Sequence, residues 1–165
     1  MRQATIESAN ENGYRVVCLE VPGRIECRDV VVRTASAACK LIAQVTQLQG
    51  PNGDDLPMHV VSAVSEAYNN IVLHGYAGRE PGSVQMTIEK CPGCVRVVLK
   101  DTGASFDPSQ SLPPDLDALP VSGLGIFVMR SMVDELSYVA GSTNVLTLVK
   151  HFVGPGATPV RAKAD

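Results

Sequence analysis

Two alternating runs of residues, joined by Cys91-Pro92-Gly93-Cys94, constrain the fold of this chain more than any other feature. Apolar residues occupy every second position of both runs: Val84, Met86 and Ile88, then Val95, Val97 and Leu99. A period of two residues is typical of a β-strand with one buried face. Pro-Gly between two such runs is a turn signal. The sequence therefore predicts an antiparallel hairpin.

Helical spacing dominates the chain before this hairpin. From about Arg28, apolar or small residues recur every three or four positions, which predicts an amphipathic helix with this face buried: Val30, Thr34, Ala37, Leu41, Val45 and Leu48. The stretch 49–53 is rich in turn formers and should end that helix. We expect a second helix to follow it, with Asp54 or Asp55 as the cap and Pro57 in the first turn.

Further strands are predicted at both ends of the chain. Residues 14–21 are rich in β-formers, and a last helix around Ile126 and Met129 precedes strand-like runs at 136–140 and 145–152. Helices and hairpins are segregated along the chain, which favours an α+β fold: a two-layer sandwich with a mixed or mostly antiparallel sheet covered on one face by helices. We expect one domain over 1–153 and a disordered tail over 154–165.

Composition narrows the classes of function. The 165 residues are 45% hydrophobic and 19% charged, which suits one compact domain with a proper core. The net charge of −3 and the pI near 5.6 argue against a nucleic-acid or anionic-membrane surface. Apolar runs stop well short of the ~18 residues that a membrane span needs. We therefore expect a soluble, cytoplasmic protein.

The five cysteines do not form a disulfide framework, which suits a reducing compartment. Only Cys91 and Cys94 have a suggestive spacing. Zinc needs about four ligands, and no second pair with matching spacing appears. A plain hairpin turn is therefore favoured over a zinc or redox site.

One predicted helix carries an acid and an amide on the same side. Glu66 and Asn70 are four residues apart, so both point the same way on a helix, about one turn apart. A carboxylate next to a carboxamide can order a water and hold a hard cation. The alternative is an ordinary exposed Glu and an Asn at a helix end.

Asp101 ends the second strand of the hairpin, and Gly103 follows it. A carboxylate there can accept a hydrogen bond from an exocyclic amine such as that of adenine, whereas guanine presents an oxygen. Gly103 would let the backbone approach a ring closely. A common Asp-x-Gly turn is the alternative.

A third stretch, Gly123-Leu124-Gly125, opens the last helix. Free backbone N–H groups at a helix start, together with glycines, favour a phosphate site. The stretch is not a dinucleotide fingerprint, because no third glycine follows at the required spacing.

In this order, the three stretches resemble the motifs of the ATPase superfamily that includes histidine kinases, GyrB, Hsp90 and MutL. The forms Glu66–Asn70 with His74-Gly75-Tyr76, Asp101–Asp107 and Gly123–Ile126 are most similar to the bacterial anti-sigma factor serine kinases. The resemblance covers roughly residues 14–152. It implies a Bergerat-type ATP-binding fold with ATP and Mg²⁺ as cofactors.

The resemblance also implies a role for each matching residue. Glu66 would be the general base, Asn70 the magnesium ligand, and Asp101 the acid that reads adenine, with Gly103 as its companion. Gly123, Leu124 and Gly125 would line the phosphates, beneath a lid formed by residues 104–122.

The implied function is that of an anti-sigma factor that is also a serine/threonine kinase. Its partners would be a sigma factor and a STAS-domain antagonist, with no direct contact to nucleic acid or membrane, and a homodimer is left open. The sequence departs from the family pattern in two places, and these leave open an alternative function. The alternative is a non-catalytic ATP-gated module that sequesters its partner. Residues 104–122 contain no Lys or Arg, and Thr143-Asn144 stands where relatives usually have a Gly-Thr pair.

Overall fold

Three helices and five strands make up the fold. The structure is a computed structural model that describes residues 13–48, 51–105 and 124–152. Its elements are β1 (Tyr14–Pro22), α1 (Arg28–Val45), α2 (Pro51–Asn70), β2 (Ser83–Cys91), β3 (Cys94–Asp101), α3 (Leu124–Met132), β4 (Glu135–Val139) and β5 (Asn144–His151). A 3₁₀ turn (Ile25–Cys27) leads into α1, and a π-helical segment (Ile71–Gly75) extends α2. Within these ranges, no helix combines the length and apolar character needed to cross a membrane.

All five strands form one sheet in the order β1-β2-β3-β5-β4, and every neighbouring pair is antiparallel. The hairpin predicted around Cys91 and Cys94 is confirmed, because these two residues face each other across the β2–β3 pair. Gly93 in the turn has φ +69°, a backbone conformation that glycine adopts without strain. Among the described residues, no group of three His, Cys, Asp or Glu side chains could hold a metal ion.

The core lies between one face of the sheet and the helices. The alternating residues of the hairpin point into it, as predicted, and are at most 1% exposed: Val84, Met86, Ile88, Val95, Val97 and Leu99. They belong to the same buried cluster as residues of all three helices. The opposite face of the sheet carries polar pairs such as Glu89 and Arg96, which form an exposed ion pair. The predicted α+β sandwich is therefore confirmed, with a fully antiparallel sheet.

The predicted buried face of α1 is wrong. Val30, Leu41 and Val45 are 50%, 48% and 53% exposed. The helix buries a neighbouring stripe instead: Val31, Ala35, Ala38, Cys39 and Ile42. Both stripes repeat every three or four residues, so periodicity alone does not choose between them. Ala35 and Ala38 are at most 3% exposed and belong to the same buried cluster as residues of α2, so packing against the core decides which stripe is buried.

The start of α2 also differs from the prediction. The helix begins at Pro51 and contains Gly53, so Pro57 lies inside it rather than in its first turn. Pro51 suits a first helical position, where the missing N–H has no partner to lose. Pro57 removes one hydrogen bond to Gly53. Leu56 and Val60, each 2% exposed, anchor the helix in the core on both sides of Pro57.

The bounds of the strands agree with the sequence to within one or two residues, whereas α1 ends at Val45, three residues before the predicted Leu48. The predicted limits of the domain at residues 1 and 153, and the tail over 154–165, lie outside the described residues, as does most of the predicted lid over 104–122. These therefore stay predictions.

Candidate functional site

Glu66 and Asn70 lie in the last two turns of α2, on the same side of the helix, and both are half-buried. The start of α3 closes over them. A methyl group placed on Gly125 would lie 3.0 Å from Oε2 of Glu66 and 3.4 Å from Oδ1 of Asn70. A side chain at this position would require Glu66 to shift by a few tenths of an ångström. We call Glu66, Asn70 and Gly125 the helix cluster.

The other residues of the third predicted stretch are less fully described. Leu124 is the first residue of α3 and is 45% exposed. Gly123 lies outside the described residues, so its phosphate role stays a prediction.

Two buried side chains, Tyr68 and Ser65, form hydrogen bonds that hold the end of α2 in place. The Tyr68 hydroxyl donates to the backbone carbonyls of Pro22 and Arg24, each at 2.9 Å. Burial raises the pKa of Tyr68 to about 12, so the hydroxyl stays a donor at neutral pH. On an adjoining side of the helix, Arg28 donates to the Ser65 hydroxyl at 2.5 Å. These bonds fix the helix in rotation and leave Glu66 directed towards α3.

Asp101 lies at the end of β3 and is only 5% exposed. One of its oxygens, Oδ1, accepts hydrogen bonds from the Gly103 N–H at 2.8 Å and from the Asn144 side-chain amide at 3.1 Å. Among the described residues, no donor reaches the other oxygen, Oδ2. The carboxylate is therefore held by one oxygen, and the second can accept a hydrogen bond from a ligand.

Gly103 is needed for a close contact between two backbone segments. A methyl group there would lie 2.8 Å from the carbonyl carbon and oxygen of Gly75, and the Ala104 N–H donates to that same oxygen at 2.7 Å. The sequence suggested that Gly103 allows close approach to a nucleobase. The structure gives it another reason to be glycine, which is packing against Gly75.

Asn144 is a residue of the candidate site that the sequence analysis did not identify. It is 1% exposed, and its amide donates to Oδ1 of Asp101 and to the Gly103 carbonyl oxygen at 3.1 and 3.0 Å. The sequence analysis counted it only as part of a departure from related proteins. The pairing of β3 with β5 sets Asp101 directly opposite Asn144, and this register is not visible in either strand's sequence. We call Asp101, Gly103 and Asn144 the strand-end cluster.

The π-helical segment connects the two clusters. It starts directly after Asn70 of the helix cluster and ends at Gly75, which contacts Gly103 of the strand-end cluster. Tyr76 follows and is 6% exposed, and its hydroxyl accepts a hydrogen bond from the Thr102 N–H at 3.2 Å. Six of the seven predicted site residues are thus described. Five of them lie in the two clusters, which one short segment joins, and Leu124 lies beside Gly125 at the start of α3.

Comparison with protein families settles which family this architecture represents. The model of the histidine kinase-like ATPase domain matches residues 30–150, a range that contains both clusters. The chain belongs to this family.

Several named proteins are similar in sequence to this chain. The chain is similar to serine/threonine-protein kinase BtrW of Bordetella bronchiseptica, with 37% identity over 92 residues, which are 52% of this chain and 64% of that protein. It is similar to anti-sigma F factor of Clostridium botulinum, with 33% identity over 109 residues, 62% of this chain and 73% of the relative. It also resembles serine-protein kinase RsbW of Staphylococcus epidermidis, with 31% identity over 111 residues, 62% and 69% of the two chains. The chain thus spans 64–73% of the length of these relatives.

Membership of the histidine kinase-like ATPase family implies that the site binds ATP, and the residues present fit that ligand. Oδ2 of buried Asp101 can accept from an amine, and Gly125 leaves space beside Glu66 and Asn70 that a side chain would fill. A magnesium ion also fits the donor set. Mg²⁺ is usually held by one or two protein oxygens plus phosphates and water, so the Asn70 oxygen suffices without a cluster of carboxylates.

Proposed function

We propose that this protein is an anti-sigma factor with ATP-dependent serine/threonine kinase activity. The observation that carries the proposal is the convergence of a carboxylate, a carboxamide and a glycine in the helix cluster, where Gly125 comes within contact distance of both Glu66 and Asn70. The names of the relatives, which include both serine kinases and an anti-sigma factor, support it.

The residues of the two clusters have different proposed roles in binding and in phosphate transfer. Bound Mg·ATP supplies the phosphoryl group and the positive charge that offsets the charge developing in transfer. Glu66 accepts the proton of the attacking seryl or threonyl hydroxyl, for which its partly exposed position at the end of α2 is suited. Asn70 provides the oxygen that holds the magnesium ion, and Asp101 accepts a hydrogen bond from the adenine amine. Leu124 and Gly125, at the start of α3, would contact the phosphates together with Gly123.

The proposed substrate is a STAS-type antagonist protein, phosphorylated in a partner-switching system. The second partner is a sigma factor, which the protein holds when the antagonist is phosphorylated. We place this switch in the cytoplasm, without direct contact to nucleic acid or membrane. Assembly as a homodimer is compatible with the proposal and is not required by the chemistry of the site.

The test replaces the proposed base by its neutral isostere. In Glu66→Gln the side chain keeps its size and still fits beside Gly125, but it cannot accept the substrate proton. We expect ATP to bind while phosphate transfer to the antagonist slows by roughly 10²–10⁴-fold. The measurement is transfer from labelled ATP, with ATP affinity and antagonist binding followed in parallel.

Glu89→Gln is the matched control, because Glu89 is paired with Arg96 on the sheet face opposite the helices. It should transfer phosphate like the wild type. If the wild type itself transfers nothing to any cognate antagonist while ATP still changes its affinity for the partner, the kinase assignment is wrong. The non-catalytic ATP-gated module is then the better description.

A further inference from the structure

The side chain of Asn144 joins three parts of the strand-end region. Its amide nitrogen donates to Asp101 of β3 and to the Gly103 carbonyl oxygen, while its oxygen accepts from the Ser105 hydroxyl at 2.7 Å and from the Gly141 N–H at 3.3 Å. All four hydrogen-bonding positions of the carboxamide are therefore in use. A polar side chain that is 1% exposed and fully bonded is held in a single position.

The orientation of this carboxamide is determined by its partners. The Gly141 N–H can only donate, so it requires the oxygen of Asn144 on its side. The Gly103 carbonyl can only accept, so it requires the nitrogen on the other side. In a flipped amide, the nitrogen of Asn144 would face the Gly141 N–H, and its oxygen would face the Gly103 carbonyl oxygen. Asp101 is therefore always presented with an N–H donor.

We propose that Asn144 is a positioning residue that sets the nucleobase preference of the site through Asp101. By occupying Oδ1, it holds the carboxylate in one orientation and directs the acceptor Oδ2 to the ligand. A fixed acceptor favours the amine of adenine and opposes the oxygen of guanine. The inference rests on the proposed ATP site and adds the residue that gives the site its selectivity.

A carboxamide suits this role better than the other small polar side chains. A hydroxyl has one hydrogen and cannot donate to Asp101 and to the Gly103 carbonyl at the same time. A carboxylate has no hydrogen and would place a second acceptor against Asp101. A neutral amide supports the acid without neutralising it, so the charge of Asp101 stays available to the nucleobase.

The test uses Asn144→Asp, which is close in shape but replaces the two donors by acceptors. We expect the affinity for Mg·ATP to fall at least about tenfold, and the preference for Mg·ATP over Mg·GTP to fall by a similar factor, because Asp101 loses its fixed orientation. Isothermal titration with both nucleotides measures the two quantities. Ser142→Asp is the control: it adds the same charge at an exposed position of the β4–β5 turn and should leave the preference unchanged.

Two further variants separate positioning from folding. Asn144→Ser keeps one donor and adds no charge, so it should fold and show an intermediate loss of preference. In an Asp101→Asn background, Asn144→Asp should no longer change the ATP-to-GTP preference, because its effect passes through Asp101. The thermal midpoint of each variant shows that the titrations are made on folded protein.

The outcomes distinguish the inference from the function on which it rests. If Asn144→Asp and Asn144→Ser weaken both nucleotides equally and leave the preference intact, Asn144 only supports the fold and the inference is wrong. The same conclusion follows if the preference changes equally with and without Asp101. If the wild type binds neither nucleotide, the proposed ATP site itself fails.

Discussion

The strand-end cluster and the helix cluster are built in opposite ways, although both belong to one candidate site. In the strand-end cluster, Asp101 and Asn144 are 5% and 1% exposed and bond to each other and to the backbone. In the helix cluster, Glu66 and Asn70 are half-buried, and within the described ranges neither side chain has a hydrogen-bond partner. The strand-end cluster is held by its own hydrogen bonds and leaves one acceptor, Oδ2 of Asp101, without a partner in the described ranges. The helix cluster has no such internal bonds in those ranges.

This difference indicates a division between recognition and chemistry. A recognition site gains selectivity when its groups are fixed before the ligand arrives, because no ordering cost is then left to binding. A group that holds a metal or accepts a proton needs unused hydrogen-bonding capacity. The strand-end cluster meets the first requirement and the helix cluster meets the second. One short π-helical segment separates them.

The glycines of the two clusters, Gly103 and Gly125, also differ in how rigid their neighbours are. Gly103 lies against backbone, where a methyl group would be 2.8 Å from the carbonyl of Gly75. Gly125 lies against the ends of two side chains, which can move. Alanine substitutions at these positions therefore test whether the strand-end cluster is rigid and the helix cluster adaptable.

The largest effect is expected for Gly103→Ala. Since neither backbone segment can yield without breaking the Ala104–Gly75 hydrogen bond, the variant should lose about 1–3 kcal/mol of unfolding free energy. ATP affinity should fall with it, because the loop that carries Asp101 is displaced. Chemical denaturation and nucleotide titration measure the two losses.

Gly75→Ala is the matched control at the same contact. A methyl group there would have its nearest neighbour at 3.6 Å, the Ala104 carbonyl oxygen, which is an ordinary contact. It should keep its stability to within about 0.5 kcal/mol. If Gly103→Ala is as stable as Gly75→Ala, the strand-end cluster is not rigid and the comparison fails.

Sequence patterns predicted the sheet well and the helix surfaces less well. The hairpin 84–100 alternates with a period of two, and such a period leaves only one choice of buried face. In α1, by contrast, the stripe containing Val30 and the stripe containing Val31 have the same spacing. Only the packing of α1 against the rest of the core decides between them, and this depends on contacts that a single helix sequence does not contain.

The candidate site was also predicted only as far as local sequence patterns reach. Glu66 and Asn70 are four residues apart, so helical geometry alone places them together. The bond between Asn144 and Asp101 spans 43 residues and depends on the register of β3 with β5. The contact of Gly103 with Gly75 likewise requires the π-helical segment, which no local pattern indicated. Site residues that lie close together in one helix were predicted from the sequence. Contacts between residues that only the tertiary fold brings together were not.

A smaller effect is expected for Asn70→Ala in the helix cluster. The amide oxygen is proposed to hold a cation that keeps most of its waters, so the loss should appear as roughly tenfold weaker ATP binding when magnesium is present. Without magnesium, the affinity should match that of the wild type. Titrations in magnesium and in a chelator make the comparison.

Asn69→Ala provides the control, because Asn69 precedes Asn70 in α2 and points about 100° away around the helix. It should bind ATP like the wild type under both conditions. If Asn70→Ala weakens ATP binding equally with and without magnesium, Asn70 is not the metal ligand.

The smallest effect on the fold, and one of opposite sign, is expected for Gly125→Ala. A methyl group would meet Oε2 of Glu66 at 3.0 Å, and a carboxylate at the end of a flexible side chain can shift by a few tenths of an ångström. Since alanine favours a helix over glycine by about 0.5–1 kcal/mol, the free energy of unfolding should stay equal or rise. Phosphate transfer should nevertheless fall about tenfold, because the proposed base is displaced from its working position.

Ser131→Ala shows what a gain in helix propensity does by itself, because Ser131 is exposed at the far end of α3 and bonds only to the Val128 carbonyl among the described residues. It should gain stability without losing transfer. Thermal unfolding and the labelled-ATP assay on both variants decide the point. Loss of stability in Gly125→Ala without loss of transfer would mean that the helix cluster is as rigid as the strand-end cluster. Stability kept and transfer lost would locate the chemistry at the adaptable cluster, where α2 and α3 meet.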